Sequence, residues 1–334
     1  NTPNQLSVSR KISDLESAED SILFGSGLGA VSSTMFSFLK SGDHVILHDS
    51  IYGGTINLVN TEFKKFNIDF SYIDINDIDL LKSTIKKNTR IIYFETPTNP
   101  LLQIVDINLI STVAKENCVI SIIDNTFASP INQNPINFGI DLVIHSATKY
   151  LGGHSDILAG SVSGTKEHIE KIKKSGINYG ANLSDYTVWL LERSIKTLSV
   201  RVNAQNQNAL GLAKFLDESS LIKKVYYPGL ENHFSHDIAS KQMNGFGGMM
   251  SFEVIDKINS EDFVSDLKII SPTMSLAGVE SSITSPSKTS HKKIDSQIRK
   301  KLGISDNLLR FSVGIEDIED LMLDLDKSLK NNVR

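Results

Sequence analysis

Short apolar runs separated by longer stretches with helical spacing dominate the first half of this chain. Ile22-Leu23-Phe24, Arg90-Ile-Ile-Tyr-Phe-Glu95, Cys118-Val-Ile-Ser-Ile-Ile-Asp124 and Leu142-Val143-Ile144 have the length and apolar content of buried strands. A helix is predicted from Val31 to Leu39, ended by Ser41-Gly42. Strand-like and helix-like segments alternate from about residue 22 to about residue 180, which predicts an α/β unit with a mostly parallel sheet covered by helices. Leu183 to Leu216 reads as a long helix with room for a break, and Val188, Leu190, Leu191 and Ile195 are among its apolar positions. After Val225-Tyr-Tyr-Pro-Gly229 the pattern changes. Gly248-Met-Met-Ser-Phe-Glu-Val254 alternates like a half-buried strand. In Leu308-Leu-Arg-Phe-Ser-Val313 the same alternation sets Arg310 and Ser312 on one face and Leu309, Phe311 and Val313 on the other. From Glu316 onward the spacing predicts a terminal amphipathic helix with an acidic first turn, as the helix dipole favours. The expected division is a large domain over 1–195 and a second part over 196–334, the connecting helix plus a smaller α+β domain. The polar stretch Ser282 to Lys293 is expected to form a mobile loop.

Composition narrows the function classes. The 334 residues carry a net charge of -5 and no basic stripe, which speaks against nucleic acid as a partner. No apolar run approaches the roughly 20 residues of a spanning helix, so no membrane role is expected. The one cysteine, Cys118, excludes an intrachain disulfide framework and fits a cytoplasmic protein; at the start of its apolar run it is expected to be a small core residue. The eight histidines show no metal-ligand spacing, and no metal is expected.

Candidate chemistry gathers at the predicted strand ends, where open α/β sheets bind their ligands. Ser146-Ala-Thr-Lys-Tyr-Leu-Gly-Gly-His-Ser-Asp156 follows the run Leu142–Ile144. A lysine amine there can form a Schiff base with a carbonyl compound, and Ser146 and Thr148, two apart in an extended chain, would point the same way toward one phosphate. A Schiff-base lysine beside a phosphate site suggests pyridoxal phosphate. Asp124, at the end of another run, is placed to pair with a protonated pyridine nitrogen. Asn99, between Pro97 and Pro100, offers an amide to a ring substituent. Gly25-Ser-Gly-Leu-Gly-Ala30 opens a helix and can receive an anion. Taken singly, Lys149 reads as a surface lysine, Asp124 as a helix cap or turn former, Asn99 as a turn residue and Arg310 as half of an ion pair. The glycine stretch also fits the dinucleotide fingerprint G-x-G-x-x-A, with Asp43 or Asp49 in place for a ribose, so an NAD-dependent oxidoreductase is the rival reading.

The run Ser146-Ala-Thr-Lys-Tyr-Leu-Gly-Gly-His-Ser-Asp156 resembles the signature of the trans-sulfuration enzymes, the pyridoxal phosphate family of cysteine and methionine metabolism. Support comes in chain order from Gly25-Ser-Gly-Leu-Gly-Ala30, Tyr52-Gly-Gly-Thr55, Glu95-Thr-Pro-Thr-Asn-Pro100, Ile123-Asp-Asn-Thr-Phe127, Arg193-Ser-Ile-Lys-Thr-Leu198, Ser275-Leu-Ala-Gly-Val-Glu-Ser281 and Arg310-Phe-Ser-Val-Gly-Ile-Glu-Asp317. The resemblance implies the aspartate aminotransferase-like architecture called fold type I. It implies that Lys149 holds the cofactor as a Schiff base, Asp124 pairs with the pyridine nitrogen and Asn99 bonds the ring hydroxyl. Ser26, Gly27, Leu28, Ser146 and Thr148 would surround the phosphate, Tyr52 would stack on the ring and assist proton transfer, and Arg310 with Ser275 would take the substrate carboxylate. The implied reaction is carbon–sulfur elimination on a small sulfur amino acid, with γ-replacement on an acylated homoserine as the alternative, in a homodimer or homotetramer. Family members usually carry an N-terminal arm with Tyr-x-Arg; this chain starts at Asn1-Thr-Pro, about where that arm would end, so either the arm lies outside this sequence or the protein lacks it. Met274 stands where many cystathionine-handling members have an acid, Leu28 replaces a common Met, and Gly54 stands where many methionine γ-lyases have a reactive Cys.

Overall fold

The computed structural model describes residues 2–290, 292, 297, 299 and 302–333. The chain forms two compact units. One comprises 1–97, 105–152 and 156–196; the other comprises 98–104, 153–155 and 197–334.

The first unit is built on seven strands: β1 (Asp20–Phe24), β2 (His44–His48), β3 (Asp69–Ile73), β4 (Thr89–Glu95), β5 (Ile120–Asp124), β6 (Leu142–His145) and β7 (Gly160–Gly164). Their order in the sheet is β1-β7-β6-β5-β4-β2-β3. Only β7 runs against the others, so the sheet is mostly parallel and the carboxyl ends of the remaining six strands share one edge. The sheet is apolar on both faces because both are covered. Val45, Leu47, Ile91, Tyr93, Ile122 and Ile144 pack on one side; Ile46, Ile92, Phe94, Ile123 and Val143 pack on the other. Helix α1 (Pro3–Glu16) has a complete capping box, in which Gln5 N–H donates to Thr2 Oγ1 and Thr2 N–H donates to Gln5 Oε1. Helix α2 (Gly27–Phe38) is capped by Ser26, and α3 (Gly53–Glu62) follows Tyr52.

The second unit carries a five-stranded sheet, with β8 (Ile222–Tyr226), β9 (Met249–Val254), β10 (Ser271–Pro272), β11 (Ser282–Thr284) and β12 (Leu308–Ser312) in the order β10-β11-β12-β9-β8. All its pairs are antiparallel except β10 with β11, and the helices Leu198–Asp217 and Ile318–Asn331 pack into its core through Leu212, Leu216, Leu321 and Leu325. The terminal helix has the acidic first turn expected, Glu319 and Asp320. The long helical stretch is broken between Ile195 and Leu198.

Three expectations need correction. Strand β9 is buried along its whole length, not half-buried. Met250, Phe252 and Val254 enter the core, and the polar positions are buried with partners: Ser251 Oγ donates to the Pro100 carbonyl and Glu253 accepts from Lys223 and Ser305. Cys118 is exposed, with φ 52°, because it lies in the turn before β5 and not in the strand. The polar stretch Ser282 to Lys293 opens with a buried strand, β11, followed by hydrogen-bonded turns through Ser285–Thr289; positions 291 and 293 lie outside the described residues. No helix among the described residues is long and apolar enough to cross a membrane.

Candidate active site

The first unit carries the predicted cofactor residues at and near its shared strand edge, except Asn99, which belongs to the second unit. Phe24 ends β1 and the chain turns through Gly25 and Ser26 into α2. Ser26 Oγ accepts from Gly29 N–H at 2.9 Å and caps this three-turn helix, whose start is a place where backbone N–H groups can receive an anion. The helix start lies against the lysine segment. A Cβ on Gly27 would stand 2.7 Å from Ser146 Cβ and 2.9 Å from Ser146 Oγ, so only glycine allows the approach. Gly160 on β7 is equally constrained, since its Cβ would meet the Ser26 carbonyl at 2.1 Å.

The segment after β6 is a turn, not an extended strand. Lys149 N–H donates to Ser146 O at 3.0 Å and Gly152 N–H to Ala147 O at 2.8 Å. The expectation that Ser146 and Thr148 point the same way from an extended chain is therefore corrected. Thr148 Oγ1 is engaged by Ala159, donating to its carbonyl at 3.2 Å and accepting from its N–H at 3.1 Å. Ser146 Oγ remains beside the Gly27 end of α2. Lys149 is half-buried in this turn.

Asp124 ends β5, paired in register with Ile144 of β6 and Glu95 of β4. Its Oδ1 accepts from Thr126 N–H at 3.0 Å, and Thr126 Oγ1 accepts from Ser146 N–H at 2.8 Å. One threonine thus fastens the aspartate to the segment that carries the lysine. Burial raises the Asp124 pKa, while the contacts with Thr126 and the charge of His145 act in the opposite sense. Glu95 is raised well above the carboxylate range, by burial first and then by Asp124. Its Oε1 accepts from Tyr52 N–H at 2.7 Å and so sets the entrance of α3. Tyr52 itself is 56% exposed. The Tyr93 hydroxyl is fully buried beside Asp124 and Thr55 without a hydrogen bond of normal geometry, and Thr55 Oγ1 is likewise unsatisfied. Two carboxyls, Asp124 and Glu95, thus lie side by side at neighbouring strand ends, with the Tyr93 hydroxyl buried beside them. The donor set suits a protonated heterocycle with an anionic arm: Asp124 is a partner for a cation, and the start of α2 with Ser146 for an anion.

The second unit holds the other predicted group. Arg310, on β12, is 5% exposed. It donates from Nη1 to Asn99 Oδ1 at 3.3 Å and from Nη2 to the Met274 carbonyl at 2.8 Å. Both acceptors are neutral, and no carboxylate lies within ion-pair distance of it among the described residues. Burial lowers its pKa from 12.5 to about 10, so it remains a cation at neutral pH. A buried guanidinium without a protein anion can grip a carboxylate brought from outside. Ala277 N–H donates to Ser312 Oγ at 2.7 Å and Ser282 Oγ to the Ser275 carbonyl at 3.0 Å, fixing the loop that carries Ser275.

Sequence reasoning missed Glu95, Thr126, His145 and Glu16. The first three sit inside or beside the motifs, but their partners are remote in sequence. The dinucleotide reading fails on topology: β1, which leads into the glycine turn, is an edge strand paired only with antiparallel β7, with no parallel neighbour to make the βαβ crevice.

Comparison with known proteins agrees with this geometry. The family model for Cys/Met metabolism PLP-dependent enzymes matches residues 1–330. A cystathionine beta-lyase of Lactococcus lactis is 44% identical over 329 residues, covering 98% of this chain and 86% of that protein. An L-methionine gamma-lyase of Fusobacterium nucleatum is 39% identical over 332 residues, 98% of this chain and 84% of that protein. The crystal structure of cystathionine gamma-lyase from Lactobacillus plantarum complexed with L-serine superposes with a TM-score of 0.95 at 40% identity, covering 99% of this chain and 87% of that one. Strand-end geometry, whole-length sequence similarity and backbone superposition converge, and the chain belongs to the pyridoxal-phosphate-dependent enzymes of cysteine and methionine metabolism.

Proposed function

We propose that this enzyme cleaves a carbon–sulfur bond in a small sulfur amino acid, with Lys149 carrying the cofactor. The observation that carries the assignment of residues is the Asp124–Thr126–Ser146 connection, which holds an acid and the lysine turn at adjacent strand ends. The bound cofactor supplies an electron sink for the bonds at the substrate α-carbon. Lys149 would hold it covalently and, as a free amine, would move protons between the substrate α- and β-carbons. A desolvated lysine amine suits that task. Asp124 would keep a proton on the ring nitrogen. Asn99 would bond the ring hydroxyl, Tyr52 would stack on the ring, and Ser26, Gly27, Leu28, Ser146 and Thr148 would hold the phosphate, the first three through backbone N–H groups. Arg310, with Ser275 beside it, receives the substrate carboxylate and so fixes which bond is aligned for cleavage. The balance is one sulfur amino acid and one water giving a thiol, ammonia and a 2-oxo acid. Relatives named for β-elimination and for γ-elimination match at similar identity, so the carbon that loses sulfur follows from the substrate pocket. Met274 is 64% exposed and brings no charge to a distant ammonium, which favours a smaller substrate or a looser specificity. We also propose that the enzyme is cytoplasmic and works as a homodimer or homotetramer.

The test offers cystathionine, methionine and an acylated homoserine to the holoenzyme, each with and without cysteine. Ammonia and 2-oxo acid from cystathionine or methionine without cysteine are expected. Cystathionine accumulating only from acylhomoserine plus cysteine, with no 2-oxo acid from the other two, would replace the lyase reading with γ-replacement.

A further inference from the structure

Glu16 and His145 are fully buried, and their side chains meet directly, His145 Nε2 on Glu16 Oε1. They stand 129 positions apart in sequence, one at the end of α1 and the other at the end of β6. Glu16 Oε1 also accepts from Asn125 Nδ2 at 3.1 Å, and Asn125 follows Asp124 directly. Gln133 completes the arrangement: its Nε2 donates to Asn125 Oδ1 at 2.9 Å, and its carbonyl accepts from Asn125 Nδ2 at 2.9 Å. The Glu16 carboxylate therefore ties together the two strand ends that bear Asp124 and the Lys149 turn. Its other oxygen, Oε2, is buried without a partner. None of these groups belongs to the cofactor contacts described above. Burying an acid and an imidazole costs several kcal/mol in desolvation for each ion, so a purely structural clamp would be better made from apolar side chains.

We propose that Glu16, acting through His145 and Asn125, is a positioning residue for the cofactor's pyridine end: the buried contacts hold the strand ends that place Asp124 opposite the ring nitrogen. The groups around Asp124 make the need plain. Burial disfavours the Asp124 charge, and Thr126, His145 and Tyr93 favour it. His145 is the group whose charge acts the other way. Without Glu16 the buried imidazole loses the carboxylate it meets, its hold beside Asp124 loosens, and the proton shared by Asp124 and the ring moves toward the carboxylate.

The proposal rests on Asp124 as the partner of the ring nitrogen, and the experiment separates the two claims. Apo-protein is reconstituted with cofactor labelled with 15N in the pyridine ring, and the nitrogen shift is recorded for wild type, Glu16→Gln, His145→Gln, Glu16→Asp and Asp124→Asn, each with its cofactor affinity and a melting curve. Glu16→Gln and His145→Gln are expected to move the shift toward unprotonated pyridine and to weaken cofactor binding about tenfold, the equivalent of roughly one pKa unit. Glu16→Asp should recover part of the shift. A wild-type shift and affinity in folded Glu16→Gln, with Asp124→Asn displaced, would overturn this proposal alone. A wild-type shift in Asp124→Asn as well would overturn the Asp124 assignment first. If Glu16→Gln does not fold, His145→Gln decides by the same readout; failure of both to fold would assign the pair to folding alone and refute the role.

Discussion

Replacing Arg310 by Met should separate activity from stability. The wild-type guanidinium is 5% exposed and makes two hydrogen bonds, to Asn99 and to the Met274 carbonyl. Lowering its pKa from 12.5 to about 10 means that burial disfavours its charge by roughly 3 kcal/mol at about 1.4 kcal/mol per pKa unit. Two hydrogen bonds from a charged donor return about 1.5–3 kcal/mol each, so the residue is close to neutral for folding. Methionine fills similar volume without charge. The variant should therefore melt within about 2 kcal/mol of wild type. Activity should behave differently. Loss of a two-pronged grip on the substrate carboxylate, at about 1.5–3 kcal/mol per prong, lowers kcat/KM by about 10²- to 10⁴-fold. Steady-state kinetics on the best substrate, beside calorimetric melting of the same preparation, reads both quantities. Unchanged kcat/KM would remove Arg310 from substrate binding, and a large drop in melting temperature would show that the guanidinium is a structural element.

Four more outcomes are expected. Asp124→Asn should lose far more turnover than cofactor occupancy, measured by absorbance against rate; near-normal turnover would end its electronic role. Gly27→Ala should weaken cofactor binding by about 1–3 kcal/mol because its methyl must displace Ser146, and titration of apo-protein reads that directly. His233, buried, has its pKa lowered from 6.5 to about 4 by desolvation first, so the unfolded chain binds its proton more tightly. Stability should then fall as pH drops from about 6.5 toward 4, by about 1.4 kcal/mol per pH unit from this group, and His233→Gln should flatten that part of the melting-against-pH curve. Light scattering at working concentration should give a dimer or tetramer; a fully active monomer would contradict the assembly proposed.

The legibility of the chain follows from where its information is local. Asp124 stands out because it ends an apolar run and Lys149 because it closely follows one, and strand ends of an open sheet are where ligands bind. Arg310 faces away from Leu309 and Phe311 as strict alternation requires. Alternation misleads for Met249–Val254, where polar side chains are buried because distant groups satisfy them. Cys118 shows the opposite failure: one residue of positive φ moves it from strand to exposed turn. The Glu16–His145 contact was illegible, since nothing in either local pattern marks a partner 129 residues away. The tight approach of Gly27 to Ser146 belongs to the same class.

The central claim is that Lys149 is the residue that holds the cofactor. Holoenzyme and the Lys149→Ala variant are each loaded with pyridoxal phosphate, reduced with borohydride, digested and sequenced by mass spectrometry. The account expects one modified peptide in wild type, carrying the adduct on Lys149, and none in the variant. A covalent cofactor adduct retained at undiminished yield in Lys149→Ala would contradict it.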